Sequence, residues 1–280
     1  PSTEISASGV SVPTKLNYGS GYTGTGTIKS EVKITSVTIG VYSASSGGTM
    51  LTGATASPNS TAYDIRPMFE KMSFDTLAIG TYYYRITATN SGGTKTLKNE
   101  QFQVVAEGKC GDNATWSMDA AGTLTISGSG ATYDFDYNEY DQTYYVPWKK
   151  LLKDIKTVKI QSGITIIGNG AFENCLNLTS VTISNGVIRI GDNAFRSCSM
   201  TEVTIPSSVV IIGEMAFWHC DNLAGISIPN GVTSIGDSAF GFCNALASVT
   251  IPDSVITIGN SAFQNCSSLT DVTIPDSVKI

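Results

Sequence analysis

Histidine is nearly absent from this chain of 280 residues: His219 is the only one, and it stands beside Cys220. Any Ser-His-Asp or Cys-His chemistry would have to pass through that single imidazole. Adjacent residues of an extended segment point apart, Cys220 falls on an inward repeat position, and no Gly-x-Ser-x-Gly elbow surrounds any serine. No catalytic residue, and no enzyme, is expected. Basic residues are scarce as well, 17 against 23 acidic ones for a net charge of −6. Nucleic acid is thereby excluded as a partner, because counterion release needs clustered Lys and Arg. Charged residues of both signs reach only 14%, so helix should be scarce. No apolar run approaches the roughly 18 residues that a spanning helix needs, so membrane insertion is not expected. The chain opens at Pro1 with neither the basic nor the apolar region of a signal peptide. The numbering is therefore expected to begin after a removed leader or at a boundary within a longer protein.

What is present in quantity is Gly, Ser and Thr together with 41% apolar residues, a balance typical of β-rich extracellular proteins with material for two cores. The second half is periodic. Ile-Gly-x-x-Ala-Phe-x-x-Cys recurs from Ile167 to Cys175, Ile190 to Cys198, Ile212 to Cys220, Ile235 to Cys243 and Ile258 to Cys266. Cysteine spacings of 23, 22, 23 and 23 define five coils, numbered here by those cysteines. Each cysteine is followed by a short alternating run, such as Leu178 to Ile183 or Leu246 to Ile251, and Ile155 to Ile160 shares its register. In a strand this alternation puts Val and Ile on one face and hydroxyls on the other. Pro206, Pro229, Pro252 and Pro275 close the later runs, since proline donates no amide and starts a turn. A lone coil buries too little to offset its ordering entropy, so neighbours must stack and exposed ends need caps. Coil two is one residue short before Met200, which is expected to tighten a loop without breaking the stack. The chain ends at Ile280 part-way into a further coil, so a C-terminal cap is expected elsewhere or beyond a cut.

These residues resemble the BspA-like leucine-rich-repeat family, whose pattern is Leu-x-x-Val-x-Ile-Pro-x-x-Val-x-x-Ile-Gly-x-x-Ala-Phe-x-x-Cys. The stretches Cys110 to Trp116, Gly122 to Gly128 and Pro147-Trp148 are similar to the hairpin and short helix that precede such repeats. The resemblance implies a bacterial secreted or cell-surface protein engaged in adhesion or recognition. Residues 1–106 contain short alternating runs, Ile5 to Val10, Gly24 to Ser30, Val32 to Tyr42, Thr61 to Ile65 and Gly80 to Asn90, separated by turn residues. Leu77 to Asn90 resembles the penultimate strand of a fibronectin III or immunoglobulin-like domain. The expected fold is thus mainly β: a β-sandwich over 1–106, an N-terminal cap over 107–154, and a leucine-rich-repeat solenoid of 23-residue coils over 155–280.

Candidate sites follow from departures in the pattern. Cys175, Cys198, Cys220, Cys243 and Cys266 form an axial ladder, expected as buried free thiols because parallel side chains hold their Cβ atoms too far apart for relaxed disulfides. Ligands spread along an axis do not converge on zinc. The acidic loop Asp134 to Asp141 lacks the glycine and glutamate of an EF-hand, so no metal and no cofactor are expected. Tyr133, Tyr137, Tyr140, Tyr144 and Tyr145 either stack on sugar rings or pack over the first coil. The two positions between Ala-Phe and Cys are polar in most coils, yet they hold Arg196 in coil two, Trp218 and His219 in coil three, and Phe242 in coil four. If exposed, these four form one patch that contacts protein or glycan; the other reading is that Trp218 folds back over its own coil. The leading expectation is a monomeric, non-enzymatic adhesion or recognition protein. A wall-binding part of a cell-wall hydrolase and a structural surface component are the alternatives.

Overall fold

The computed structural model describes residues 1–135, 137–138, 140 and 143–279. The chain divides into two compact units, Pro1–Ala106 and Glu107–Ile280. None of the helices among the described residues is long and apolar enough to cross a membrane.

The first unit contains strands β1 (Ile5–Ser8), β2 (Lys15–Asn17), β3 (Thr27–Ile34), β4 (Ser36–Tyr42), β5 (Met50–Ala56), β6 (Ser60–Asp64), β7 (Gly80–Asn90) and β8 (Gly93–Lys109), with a one-turn helix α1 at Arg66–Phe69. Strands β1, β3 and β6 make one antiparallel sheet; β5, β4, β7 and β8 make another, with β2 added in parallel to β8. Alternation along β7 buries Tyr84, Ile86 and Ala88 against Val37, Ile39 and Phe102. The break expected at Glu31 falls instead at Thr35, whose amide donates to the Thr89 carbonyl where the chain passes from one sheet to the other. Strands β2, β5 and β8 were not anticipated. Lys15–Asn17 is too short to show a period, and Met50–Ala56 exposes residues on both faces, so neither carries a clean alternation.

The second unit begins with an antiparallel hairpin of β9 (Asn113–Met118) and β10 (Thr123–Ala131). A small hairpin of β11 (Tyr137–Asn138) and β12 (Thr143–Tyr144) follows, and then the coils. The coils carry front strands on one face and return strands on another. The front strands are β13 (Thr157–Ile160), β15 (Ser180–Ile183), β18 (Gly225–Ser227) and β20 (Ser248–Thr250). The return strands are β14 (Ile164–Ile167), β16 (Arg189–Ile190), β17 (Ile211–Ile212), β19 (Ser234–Ile235) and β21 (Thr257–Ile258). The single strand β10 starts both ladders, pairing in parallel with β13 and, beyond an irregularity at Gly130, with β14. The return ladder is continuous; Thr257 lies opposite Ser234, 23 residues earlier, and Ile211 opposite Arg189, 22 earlier.

The front ladder differs from expectation. β15 pairs with β13 and β18 with β20, but the run at Thr201–Ile205 joins neither pair, and nor does the last run at Leu269–Ile274. The residue missing before Met200 shortens the approach to the front face. The stack persists through the return ladder, while the front backbone opens into a slot lined by Thr179, Ser180, Thr201, Glu202 and Thr204. The expected hydroxyl face is present, with Thr182, Thr204, Ser227, Thr250 and Thr273 exposed.

Between the ladders runs a column of rings. Trp148, Phe172, Phe195, Phe217, Phe240 and Phe263 stack in order, with centroids 5.2 to 5.6 Å apart. Trp148 is fully buried at the head of the column and donates its indole N–H to the Ala171 carbonyl at 2.9 Å. Backbone amides lock the same spacing: Phe172, Phe195, Phe217 and Phe240 each donate to the alanine carbonyl of the next coil at 2.8 Å. The cysteines lie beside the rings, free and buried. Cys198, Cys220 and Cys243 each donate S–H to a phenylalanine carbonyl of the preceding coil at 3.2 Å.

The glycine after each return isoleucine is required by close approach, not by a positive φ. A Cβ on Gly236 would sit 2.5 Å from the Glu214 nitrogen and 2.6 Å from the Gly213 carbonyl carbon, both backbone atoms that cannot swing aside. Gly236→Ala should therefore destabilise the second unit by about 1–3 kcal/mol, read as a drop in the denaturant midpoint at unchanged slope; an unchanged midpoint would refute the close-packing explanation.

Candidate binding ridge

The edge of the repeats beyond the ring column is built by a turn whose alternate amides point along the axis. Asn174 donates to the Arg196 carbonyl, Ser197 to Trp218, His219 to Gly241 and Phe242 to Gln264, at 2.7 to 2.9 Å. Each of these donors has a left-handed backbone, with φ of 59°, 57°, 56° and 60°, and Asn265 matches at 57°. Asparagine adopts this conformation readily, whereas a bulky residue there is an outlier. Coils three and four place His219, which tolerates this conformation, and the bulky Phe242, which does so at a cost, at positions that coils one and five fill with asparagine.

The four residues singled out in the sequence are brought together. His219 stacks on Phe242 at 4.7 Å, Trp218 meets Phe242 edge-on at 5.3 Å, and Trp218 meets His219 at 4.0 Å. The Arg196 guanidinium lies over the Trp218 ring, 4.5 Å from its centroid. Opposite, a Cβ on Gly241 would fall 3.0 Å from Trp218, so glycine in coil four makes room for the indole. Trp218 packs along the stack, against Arg196 of coil two and Gly241 and Phe242 of coil four, and it and its neighbours stay only half-buried. Beside the rings, Asp221 Oδ1 accepts a hydrogen bond from Asn244 Nδ2 at 2.8 Å and lies 3.4 Å from His219 Nδ1.

Sequence reasoning missed how Arg196 is held. Its guanidinium pairs with Glu173 Oε1 at 3.2 Å, and the Glu173 side chain is only 3% exposed. Burial pushes the Glu173 carboxyl up, with Arg196 opposing. Nothing in coil one's local pattern marks Glu173, because its burial comes from chain distant in sequence. Tyr144 belongs to the same edge: its ring covers Gly170 of coil one and its hydroxyl accepts from Asn193 Nδ2 at 3.1 Å. The other tyrosines diverge. Tyr137 meets Tyr144 edge-on at 5.2 Å, Lys149 lies over Tyr145 at 5.2 Å, and Tyr133 donates to Asp112.

The sole imidazole faces Asp221 and Phe242 while the Cys220 thiol turns inward, so no Cys-His pair forms. Among the described residues, no three His, Cys, Asp or Glu side chains converge as metal ligands. In the acidic loop, Asp134 accepts from the Asn169 amide at 2.9 Å; Asp136, Glu139 and Asp141 lie outside the described residues.

Comparison with known proteins bears on this architecture. The BspA type leucine rich repeat family matches residues 150–270 and 242–280, in six copies. Over residues 150–280 the chain is thus similar to BspA-type leucine-rich-repeat regions. The matched region is a repeat scaffold, and the bonds described above are its coil-to-coil contacts. A leucine-rich repeat protein from Eubacterium ventriosum is 24% identical over 62% of this chain and 61% of its own, with a TM-score of 0.45. A leucine rich cell surface protein from Faecalibacterium prausnitzii is 32% identical over 60% of this chain and 48% of its own, at 0.44. A Treponema pallidum leucine rich repeat protein is 26% identical over 56% and 77%, at 0.42. The chain thus spans about half to three fifths of the first two. No curated protein matches it.

Two outcomes follow. Phe240→Ala, inside the ring column, should cost about 3–5 kcal/mol. Phe242→Asn relieves about 1–2 kcal/mol of left-handed strain and loses about 0.5–1.5 of ring contact, so its unfolding free energy should stay within about 1 kcal/mol of the parent; a loss matching that of Phe240→Ala would contradict an exposed ridge. Burial pushes the Cys220 thiol up to about 12 from an ordinary value near 9, and Cys175 and Cys243 move the same way. Below pH 9 both states keep their thiols protonated; between pH 9 and 12 only the unfolded chain ionises, so stability falls as pH rises through that window. Urea midpoints at pH about 8 and about 10.5 should show the fall, reduced in Cys220→Ala; an equal fall in that variant would contradict it.

Proposed function

We propose that this chain is a non-enzymatic, monomeric, secreted or cell-surface bacterial protein that recognises a host protein or glycan through its repeats. In this reading residues 1–106 form an immunoglobulin or fibronectin III-like β-sandwich serving as spacer or second module. Residues 107–154 cap the solenoid, and the coils of 155–280 repeat every 23 residues. The reading draws on the repeat family and on the cell-surface location of the F. prausnitzii relative.

The observation that carries the site is the strained, left-handed Phe242 with His219 stacked on it. A position that Asn174 and Asn265 fill cheaply holds two ring side chains, half-exposed and stacked, at a conformational cost the fold does not require. Strain of that kind clusters at functional positions. Arg196 and Trp218 complete a ridge of the residue types that dominate binding hot spots.

A panel of host matrix proteins, host glycans and peptidoglycan presented to the whole chain tests this reading. Binding to a matrix protein or glycan should be lost in Trp218→Ala, Phe242→Ala. Binding to peptidoglycan alone, or affinity unaltered in that variant, overturns it.

A further inference from the structure

The edge that carries the ridge continues toward the tyrosine hairpin, and its flat side chains follow one another coil by coil. Tyr144 covers coil one at Gly170, with Tyr137 beside it and 45% exposed. Arg196 comes from coil two, clamped between Glu173 and Trp218. Trp218 and His219 come from coil three and Phe242 from coil four. We propose that this edge, from Tyr137 to Phe242, is a track for a neutral, extended polysaccharide; the inference rests on the binding reading above and names its ligand class.

Three features select that chemistry. The first is spacing: coils stacked like strands are about 4.8 Å apart, close to the length of one pyranose residue in an extended β-linked chain. From coil one to coil four there are three steps, a track of roughly 14 Å with room for about three sugar rings. The second is the pairing of flat side chains with hydrogen-bonding rims. Sugar rings offer C–H bonds on their faces and hydroxyls at their edges, and the ridge offers aromatic surface flanked by Asp221 and Asn244. The third is charge. Arg196 is already matched by Glu173, and Asp221 lies against His219, so the track presents no uncompensated cation for an acidic polymer. A broad protein partner fits less well, because the aromatic residues are few and the same edge continues with the polar Asn174, Ser197, Gln264 and Asn265 in the neighbouring coils.

The experiment uses the whole chain. Electrophoresis through gels containing xylan, mixed-linkage β-glucan or galactomannan is followed by calorimetry with oligosaccharides of the polymer that retards it. At least one neutral polysaccharide should retard the protein, and a six-ring oligosaccharide should bind at least about tenfold tighter than a two-ring one. The variant His219→Ser, Phe242→Asn restores residue types that other coils tolerate at this position. It should lower affinity about tenfold while its unfolding midpoint stays at or above the parent's, which a merely structural role for these rings would not produce. Tyr137→Ala should weaken the long oligosaccharide and leave the short one unaffected. No retardation by any neutral polysaccharide, no dependence on chain length, or unaltered affinity in the ridge variant overturns the proposal. If a matrix protein binds instead and the ridge variant abolishes it, the binding reading stands and the polysaccharide track falls; if no ligand responds to the ridge variant, both fall.

Discussion

The second unit depends on one repeated contact, the stacking of each Ala-Phe segment on the next. The rings set a spacing of 5.2 to 5.5 Å between phenylalanine centroids, and the 2.8 Å amide bonds between the same segments allow little departure from it. Other features are consequences of that spacing. Glycine follows each return isoleucine because neighbouring backbones come too close for a Cβ. Cysteine fits beside the rings because it is small, apolar and able to donate to a carbonyl. Trp148 heads the column because the first phenylalanine needs a flat partner.

The outer edge inherits the same period without being obliged to use it. The stack does not require ring side chains outside the left-handed turn, so coils can carry asparagine or serine there at little cost. Coils three and four do otherwise, and Gly241 is matched to Trp218 as if both belonged to one arrangement. The buried Glu173 strengthens that view, since an exposed arginine would sample many orientations, whereas Arg196 is held between a carboxylate and an indole.

Much of this was legible in the sequence because the repeat reports the same environment five times. Inward Val and Ile, the thiol ladder and the adjacency of Arg196, Trp218, His219 and Phe242 all follow from one register. The front ladder's break was not legible: one missing residue before Met200 reads as a shorter loop, and only the geometry shows that the strand loses its partners on both sides. Glu173 escaped because its burial depends on chain far from it in sequence. In the first unit β5 escaped because glycine at Gly40 and Gly53 lets Met50 fold across the sheet, erasing the alternation by which a strand is recognised.

The break at coil two has a mechanical side. Where front strands pair, tension along the stack is shared among a front ladder, a ring column and a return ladder. At Thr201–Ile205 the front ladder carries no strand pairing, so force there passes through the rings, the amide bonds of the Ala-Phe segments and outer turns, and the return strands, with only the Ala224 amide bonded to the Thr201 carbonyl on the front face. This break lies within the span of the ridge, on the side of the polar slot, so a pull transmitted through the chain bears there on the spacing between Arg196 and Trp218 with less support from the front face than where β13 meets β15 or β18 meets β20.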